Sequence, residues 1–165
     1  MEMDLLEHYQ QWHKEPNSAV PYLEKNQPLH EYVCQSANLL KAMGAQKGDT
    51  ICFYLPKIPE MVVLMLACAK IGLTKIDLFG TFAVNTLQAK IQETNARMII
   101  TSDEGFYNGQ IIPLKQIVDT ALELPSSVLQ VLVIGSASAP GPRHLLRDVD
   151  FHSLVSRQAK LCVTE

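Results

Sequence analysis

One stretch of the chain could hold phosphate, the Gly/Ser-rich segment Gly135–Arg143. It follows an apolar run and could precede a helix, as a phosphate-binding loop does. Two prolines in the segment, Pro140 and Pro142, lack the backbone N–H groups that bind phosphate oxygens, and no lysine accompanies them. The sequence also contains neither G-x-x-x-x-G-K-[ST] nor G-x-G-x-x-G. The residue types therefore favour a plain surface loop over a small nucleotide-binding site that uses Arg143.

A second group of residues, Asp148, Asp150 and His152, could perform acid–base chemistry. The alternative is structural, because an aspartate at the start of a helix commonly caps it. His144 lies four residues before Asp148 in a proline-bounded stretch, and we expect that pair to be solvated. The sequence has no H-E-x-x-H and no G-x-S-x-G. We therefore predict no catalytic residue and no metal site.

The four cysteines, Cys34, Cys52, Cys68 and Cys162, show no C-x-x-C spacing, which argues against a zinc or redox motif. Three of them lie in apolar segments, where a free cysteine behaves as a small hydrophobic residue. We expect buried, reduced thiols.

The elements that would position these residues alternate between helix and strand. Residues 1–27 read as an irregular, polar arm, with a possible short helix at 3–13 and Trp12 as an anchor on the core. Residues 28–165 read as one α/β domain. Its predicted helices are 29–43, 61–71, 84–91, 114–124 and about 148–158, and its predicted strands are 51–55, 73–79, 97–101 and 128–134. This alternation predicts a parallel, doubly wound sheet with right-handed crossovers.

In such a sheet, ligands bind beyond the carboxyl ends of the strands. Loops 56–59, 79–83 and 102–110 should lie there, and the alternative is that they are plain connections. Lys75 and Asp77 share one face of the second predicted strand. That face is normally apolar in a central parallel strand, so either it stays wet or the two charges pair.

Composition excludes several classes of protein. The 14 basic and 17 acidic residues of the 165 are evenly spread, so no basic stripe suggests a nucleic-acid partner. The longest strictly apolar run, Met61–Ala69, is too short to span a bilayer. The acidic start of the chain resembles neither a secretory signal nor a transit peptide, so we expect a cytoplasmic protein.

Ordered blocks of residues 29–155 resemble the amino-terminal part of the acetyl-CoA synthetases, in the adenylate-forming acyl-CoA ligase superfamily. The blocks are Leu29–Cys34, Ala37–Leu40, Lys47–Asp49, Tyr54–Glu60, Met65–Gly72, Phe79–Phe82, Ile100–Gly105, Ile112–Lys115 and Arg147–Val155. The resemblance implies the first α/β subdomain of the adenylate-forming fold, as a partial AMP-binding domain over residues 28–165. The complete family enzyme uses ATP with Mg²⁺ to join acetate to CoA, releasing AMP and pyrophosphate.

The resemblance also assigns CoA contacts to five positions, Gly80, Tyr107, Asn108, Gly109 and Gln110. The family reads Arg-Ala-Gly-Arg where this chain has Tyr107–Gln110. Tyrosine and glutamine offer neutral hydrogen bonds instead of charged guanidinium forks, so we expect weak CoA binding or none. Nearby, Thr81 replaces a family glycine, and Ala83 replaces a serine suited to capping the next helix.

The resemblance places the family's ATP phosphate loop just after Glu165, so we expect the chain alone to be catalytically incomplete and to need no cofactor. A competing hypothesis is a non-catalytic module or split subunit that docks to a complementary ligase fragment or a full-length relative.

Overall fold

The computed structural model describes residues 28–80, 82–135 and 141–162. The predicted arm over residues 1–27 with Trp12, the substituted Thr81 and most of the predicted phosphate loop lie outside the described residues. Within them, the helices are α1 (Leu29–Ala42), α2 (Pro59–Lys70), α3 (Val84–Thr94), α4 (Leu114–Ala121) and α5 (Phe151–Val155). The strands are β1 (Thr50–Tyr54), β2 (Thr74–Asp77), β3 (Met98–Ser102), β4 (Gly105–Tyr107), β5 (Gln110–Ile112), β6 (Gln130–Ile134) and β7 (Asp148–Asp150).

Five strands form one sheet in the order β2-β1-β3-β6-β7, and every neighbouring pair is parallel. The predicted α/β fold with a parallel sheet is therefore confirmed. Successive side chains of a strand point to opposite faces. In β1, Ile51 and Phe53 enter one apolar core, while Cys52 and Tyr54 enter the other.

Helices cover both of these faces. Helices α1, α2 and α5 pack on the first core, and α3 and α4 pack on the second. Helix α2 is buried on most sides, as its apolar run predicts. None of the helices that the structure describes is long and apolar enough to cross a membrane.

Strand β2 is an edge strand of the described sheet, so the rule that central strands are apolar on both faces does not apply to it. Its Lys75 Nζ lies 3.8 Å from Asp77 Oδ2, and the same ammonium lies 5.4 Å from the centre of the Phe53 ring. The two charges are tolerated because an edge strand leaves part of each side chain in water.

The prediction of a polar loop over residues 102–110 is wrong for its second half, which forms part of a hairpin. Strands β4 and β5 form an antiparallel hairpin with Phe106 opposite Ile111. Asn108 and Gly109 turn the chain with positive φ angles of 48° and 78°. An Asn-Gly pair between short apolar-alternating runs is a strong hairpin signal, because both positions tolerate this backbone.

The predicted start of the last helix, near residue 148, is also wrong. Residues 148–150 form β7, which pairs with β6, and α5 begins only at Phe151 and ends at Val155. The Asp150 side chain accepts a hydrogen bond from the Ser153 N–H. The capping interpretation of Asp150 is therefore confirmed.

Candidate functional site

The carboxyl ends of the five parallel strands meet at one edge of the sheet. Residues that follow β1, β2, β3, β6 and β7 all lie there because every strand points the same way. The predicted loops 56–59, 79–83 and 102–110 follow β1, β2 and β3 and reach this edge. We call this region the carboxyl edge.

An aromatic cluster joins two of these loops. The ring centres of Phe79 and Phe82 are 5.7 Å apart, and that of Tyr107 lies 5.9 Å and 5.0 Å from them. All three pairs are edge-to-face, the geometry that aromatic quadrupoles prefer. The cluster fixes the base of the β4–β5 hairpin against the loop that contains Gly80.

The structure thus brings the predicted CoA positions into one neighbourhood. Gly80, with φ +100°, follows Phe79 directly, and Tyr107 packs on Phe79. A Cβ atom at Gly80 or at Gly109 would meet no atom within 4 Å, so both face open space. Gln110 is exposed beside the turn. The hairpin tip therefore presents backbone and neutral side chains, without a positive charge for a phosphate.

Arg143 is engaged by acidic partners at the same edge. Its Nη1 and Nη2 atoms lie 2.5 Å and 2.9 Å from the two carboxylate oxygens of Asp103, which is 5% exposed. An oxygen of a second carboxylate, Asp150 Oδ1, lies 3.7 Å from Nη2. The hydrogen bonds with Asp103 raise the pKa of Arg143, so the guanidinium stays charged and paired. This bidentate clamp supports the plain-loop interpretation of Gly135–Arg143.

The clamp also needs glycines beside it. A Cβ at Gly141 would lie 2.8 Å from Asp103 Oδ1, and one at Gly135 would lie 3.2 Å from Arg143 Nη2. The two glycines of the predicted phosphate loop therefore let the loop backbone lie close to the Asp103–Arg143 ion pair, where a larger residue would clash.

A second ionic network is buried between α4 and β7. Lys115 Nζ lies 2.7 Å from Asp148 Oδ2 and 2.7 Å from Asp119 Oδ1. Arg147 donates through Nε to Asp148 Oδ1 at 2.9 Å and also pairs with Asp119. The Asp148 side chain is fully buried, so the expectation of a solvated His144–Asp148 pair is wrong.

Burial alone would raise the pKa of Asp148. Hydrogen bonds from Lys115, from the His144 backbone N–H at 2.7 Å and from Arg147 outweigh burial and hold that pKa below its ordinary value. Asp148 is therefore a charged structural residue, and nothing in its contacts places it opposite a reacting group.

A titratable pair, Glu60 and His152, also lies at the carboxyl edge. Glu60, in the first turn of α2, places Oε1 3.7 Å from His152 Nε2, at the start of α5. Burial raises the pKa of Glu60 to about 7 and lowers that of His152. Burial thus favours the neutral form of both groups. Sequence reasoning considered His152 but missed Glu60, whose partner lies far along the chain.

A cavity of about 410 Å³ opens between the end of α4 and residues 142–147. Its polar lining consists of Asp119, Glu123, Arg143, His144 and Arg147. Both arginines are held by carboxylates, so the lining has no excess positive charge. Among residues 28–80, 82–135 and 141–162, no group of three or more His, Cys, Asp or Glu side chains is arranged to hold a metal.

Comparison with known proteins gives a consistent result. The family model described as "AMP-binding enzyme" matches residues 26–153. An acetyl-coenzyme A synthetase from Xylella fastidiosa is 42% identical over 152 residues, 91% of this chain and 23% of that protein. One from Serratia proteamaculans is 40% identical over 139 residues, 83% of this chain and 21% of that protein. Acetyl-coenzyme A synthetase 2 of Pseudomonas aeruginosa is 39% identical over 137 residues.

The chain therefore spans between a fifth and a quarter of the length of these relatives. The residues that the family model matches include every strand of the parallel sheet. On the fold, the matched residues and these identities, the chain belongs to the AMP-binding enzyme family and is acetyl-CoA synthetase-like.

Proposed function

We propose that this chain is the first α/β subdomain of an acetate-type acyl-CoA ligase and does not activate a carboxylic acid by itself. The observation that carries the proposal is the charge at the carboxyl edge. Arg143 is clamped by Asp103, and the hairpin tip over Tyr107–Gln110 is neutral. Forming an acyl-adenylate from ATP needs groups that stabilise the charge on the phosphates, and these residues offer none.

The proposed role of the subdomain is positional. Its sheet would present the carboxyl edge and the β4–β5 hairpin to a site that other parts of a ligase complete. The complete reaction would use ATP with Mg²⁺, acetate and CoA, as the names of the relatives and the resemblance imply. Residues 1–27 would form an arm outside this subdomain.

Acetate-dependent exchange of labelled pyrophosphate into ATP tests the inactivity of the chain. We expect the purified 165-residue chain to give no exchange above a protein-free blank, because Arg143 is already paired with Asp103 and the hairpin tip has no charge to offer the triphosphate. Exchange that depends on acetate, and that is lost when the chain is heat-denatured, would overturn the proposal.

CoA binding by the hairpin tip can be tested separately. We expect weak or no binding of CoA by the parent chain, measured by calorimetry. The variant Gln110→Arg adds a guanidinium to the tip, and a charged hydrogen bond to phosphate should raise the affinity about tenfold. The matched control Gln116→Arg adds the same charge on the exposed face of α4 and should leave the affinity unchanged. Equal gains in the two variants would show non-specific attraction.

A second proposed function is docking to a complementary ligase fragment. Leu145 and Leu146, just before β7, are 94% and 91% exposed, and Phe106 and Ile111, which are opposite each other in the hairpin, are 68% and 66% exposed. Large apolar side chains exposed to this degree are typical of a surface that another polypeptide covers. We propose that the occupant is the remainder of a ligase of this family.

Co-expression with a tagged polypeptide that supplies the remaining residues of the Xylella relative tests this docking. We expect the chain to co-purify with it and the pair Leu145→Asp/Leu146→Asp to be lost from the complex. Leu124→Asp, at a 53% exposed leucine after α4, is the control and should co-purify normally. Failure of the parent chain to co-purify, or equal loss from the control, would contradict the proposal.

A further inference from the structure

The segment after α5 lies along α1 and is held by two amide side chains. Gln35 Nε2 donates to the carbonyl oxygens of Ser156 and Gln158 at 3.4 Å and 3.2 Å. Asn38 Nδ2 donates to those of Ala159 and Leu161 at 2.8 Å and 3.0 Å. We call residues 156–162 the strap, because backbone carbonyls along its length are anchored on one helix.

The strap brings two thiols together. Cys34 is fully buried on α1, one helical turn before Asn38. Cys162, at the end of the strap, is half-buried, packs against the first core and lies beside the Cys34 thiol. His30, on the exposed side of α1, places Nε2 3.8 Å from Cys34 Sγ. None of these groups takes part in the proposed function.

We propose that Cys34 and Cys162 form a thiol pair whose disulfide, made with hydrogen peroxide as the oxidant, locks the strap onto α1. The proposal rests on the anchored strap, on the two neighbouring sulfurs and on the different exposure of the thiols. Cys162 is reachable from solvent and would react first, and Cys34 is buried at its side and would resolve the product.

The chemistry balances with hydrogen peroxide as the oxidant. The Cys162 sulfur attacks one peroxide oxygen, an S–O bond forms, the O–O bond breaks, and hydroxide leaves with the thiol proton as water. The Cys34 sulfur then attacks the sulfenic sulfur, the S–S bond forms, the S–O bond breaks, and a second water leaves. His30 is placed to accept the Cys34 proton and return it to solvent. Two thiols lose two electrons and two protons, and one peroxide becomes two waters.

We expect the disulfide between Cys34 and Cys162 to form slowly at neutral pH, because little of the Cys162 thiol is ionised there. Burial and the neighbouring Cys34 raise the pKa of Cys162 to about 11, against the opposing effect of Lys70 at the end of α2 and Lys41 at the end of α1. Nearby on the surface, Lys160 of the strap pairs with Glu31 of α1 at 3.2 Å. Because the thiolate is the nucleophile, cross-linking should accelerate about tenfold between pH 7 and pH 8.

The test is peptide mapping by mass spectrometry after treatment of the folded 165-residue chain with hydrogen peroxide and alkylation of the remaining thiols. We expect one major cross-linked peptide pair, Cys34–Cys162, reversed by a thiol reductant. The oxidised chain should melt about 10 °C higher, because a bridge closing a loop of about 130 residues restricts the unfolded state.

Variants separate the pair from chance oxidation. Cys162→Ser should abolish the cross-link and the rise in melting temperature. The control Cys52→Ala/Cys68→Ala keeps only the proposed pair and should form the cross-link at the parental rate. If that control fails to fold by circular dichroism, the cross-link map of the parent chain decides the matter.

The proposal is overturned if the folded parent chain gives no Cys34–Cys162 peptide. It is also overturned if the four cysteines cross-link without preference, as we expect of the chain unfolded in guanidinium. These readouts do not depend on acetate, ATP or CoA, so they stand apart from the proposed ligase role.

Discussion

Two single residues, Glu60 and Asp148, show how burial and pairing set the charge of a carboxyl group. Glu60 has no strong positive partner, so desolvation decides its state, and its pKa rises to about 7. The Asp148 side chain is also buried, but hydrogen bonds from Lys115, from the His144 backbone N–H and from Arg147 outweigh desolvation, and its pKa falls. The pKa values of these two carboxyl groups are therefore shifted in opposite directions, and we test each shift by a separate substitution.

For Glu60, the folded pKa of about 7 lies above the ordinary value of 4.5. Its contribution to stability is fully present below pH 4.5 and is lost as the pH rises to 7, by up to about 3 kcal/mol. The lowered pKa of His152 acts in the opposite sense and raises stability as the pH approaches 6.5. From pH 6.5 to 8, the Glu60 effect should dominate.

We therefore expect Glu60→Gln to remove the last part of this fall in unfolding free energy, about 1 kcal/mol between pH 6.5 and 8. Urea denaturation at several pH values measures this free energy. Glu123→Gln makes the same chemical change at an exposed position and should keep the parental profile. A parental profile in Glu60→Gln would show that this carboxyl is not buried in the neutral form.

For Asp148, we expect Asp148→Asn to cost about 3 kcal/mol, because it leaves the buried Lys115 ammonium with weaker compensation. Asp119→Asn removes a partly exposed member of the same network and should cost less than about 1 kcal/mol. Chemical denaturation at pH 7 compares the two variants. Equal losses would contradict the assignment of Asp148 as the central acceptor.

At the scale of elements, helix α3 begins without a side-chain cap. Its N-cap residue is Ala83, and the structure shows no side-chain hydrogen bond there. The hairpin, by contrast, uses the Asn-Gly pair that its turn requires. The residues of the hairpin turn therefore suit their backbone conformation, whereas the N-cap residue of α3 does not stabilise the start of its helix.

Ala83→Ser should stabilise the chain by about 1 kcal/mol, because a serine oxygen can accept from an unpaired N–H in the first turn of α3. Thermal and urea unfolding measure the gain. Ala89→Ser, at an exposed position inside α3, is the control and should cost a few tenths of a kcal/mol. A loss of stability in Ala83→Ser would show that residue 83 is not the capping position.

At the scale of the whole molecule, β2 forms one edge of the described sheet, and its partly exposed Lys75 discourages pairing with another chain. We expect Lys75→Val to increase aggregation several-fold on mild heating, measured by light scattering. Lys90→Val, on helix α3 away from the sheet edge, is the control and should aggregate at the parental rate. Equal aggregation of both variants would point to lost solubility instead of edge pairing.

The sequence by itself determined the order of the five helices and of strands β1, β2, β3 and β6. Those features follow from local periodicity, as in β1 and α2, and from local turn residues. It also pointed to the loops after β1, β2 and β3, because a parallel sheet places all carboxyl ends together. The resemblance to acetyl-CoA synthetases likewise depended on short blocks of neighbouring residues, which can be recognised in the sequence without the structure.

Only the tertiary structure decided the ion pairs and the thiol pair. Arg143 meets Asp103, Lys115 meets Asp148, and Glu60 meets His152 across long stretches of chain. No local period encodes such contacts, since they depend on which strands become neighbours in the sheet. The same holds for the edge position of β2 and for β7, whose three residues read as the start of a helix until β6 pairs with them.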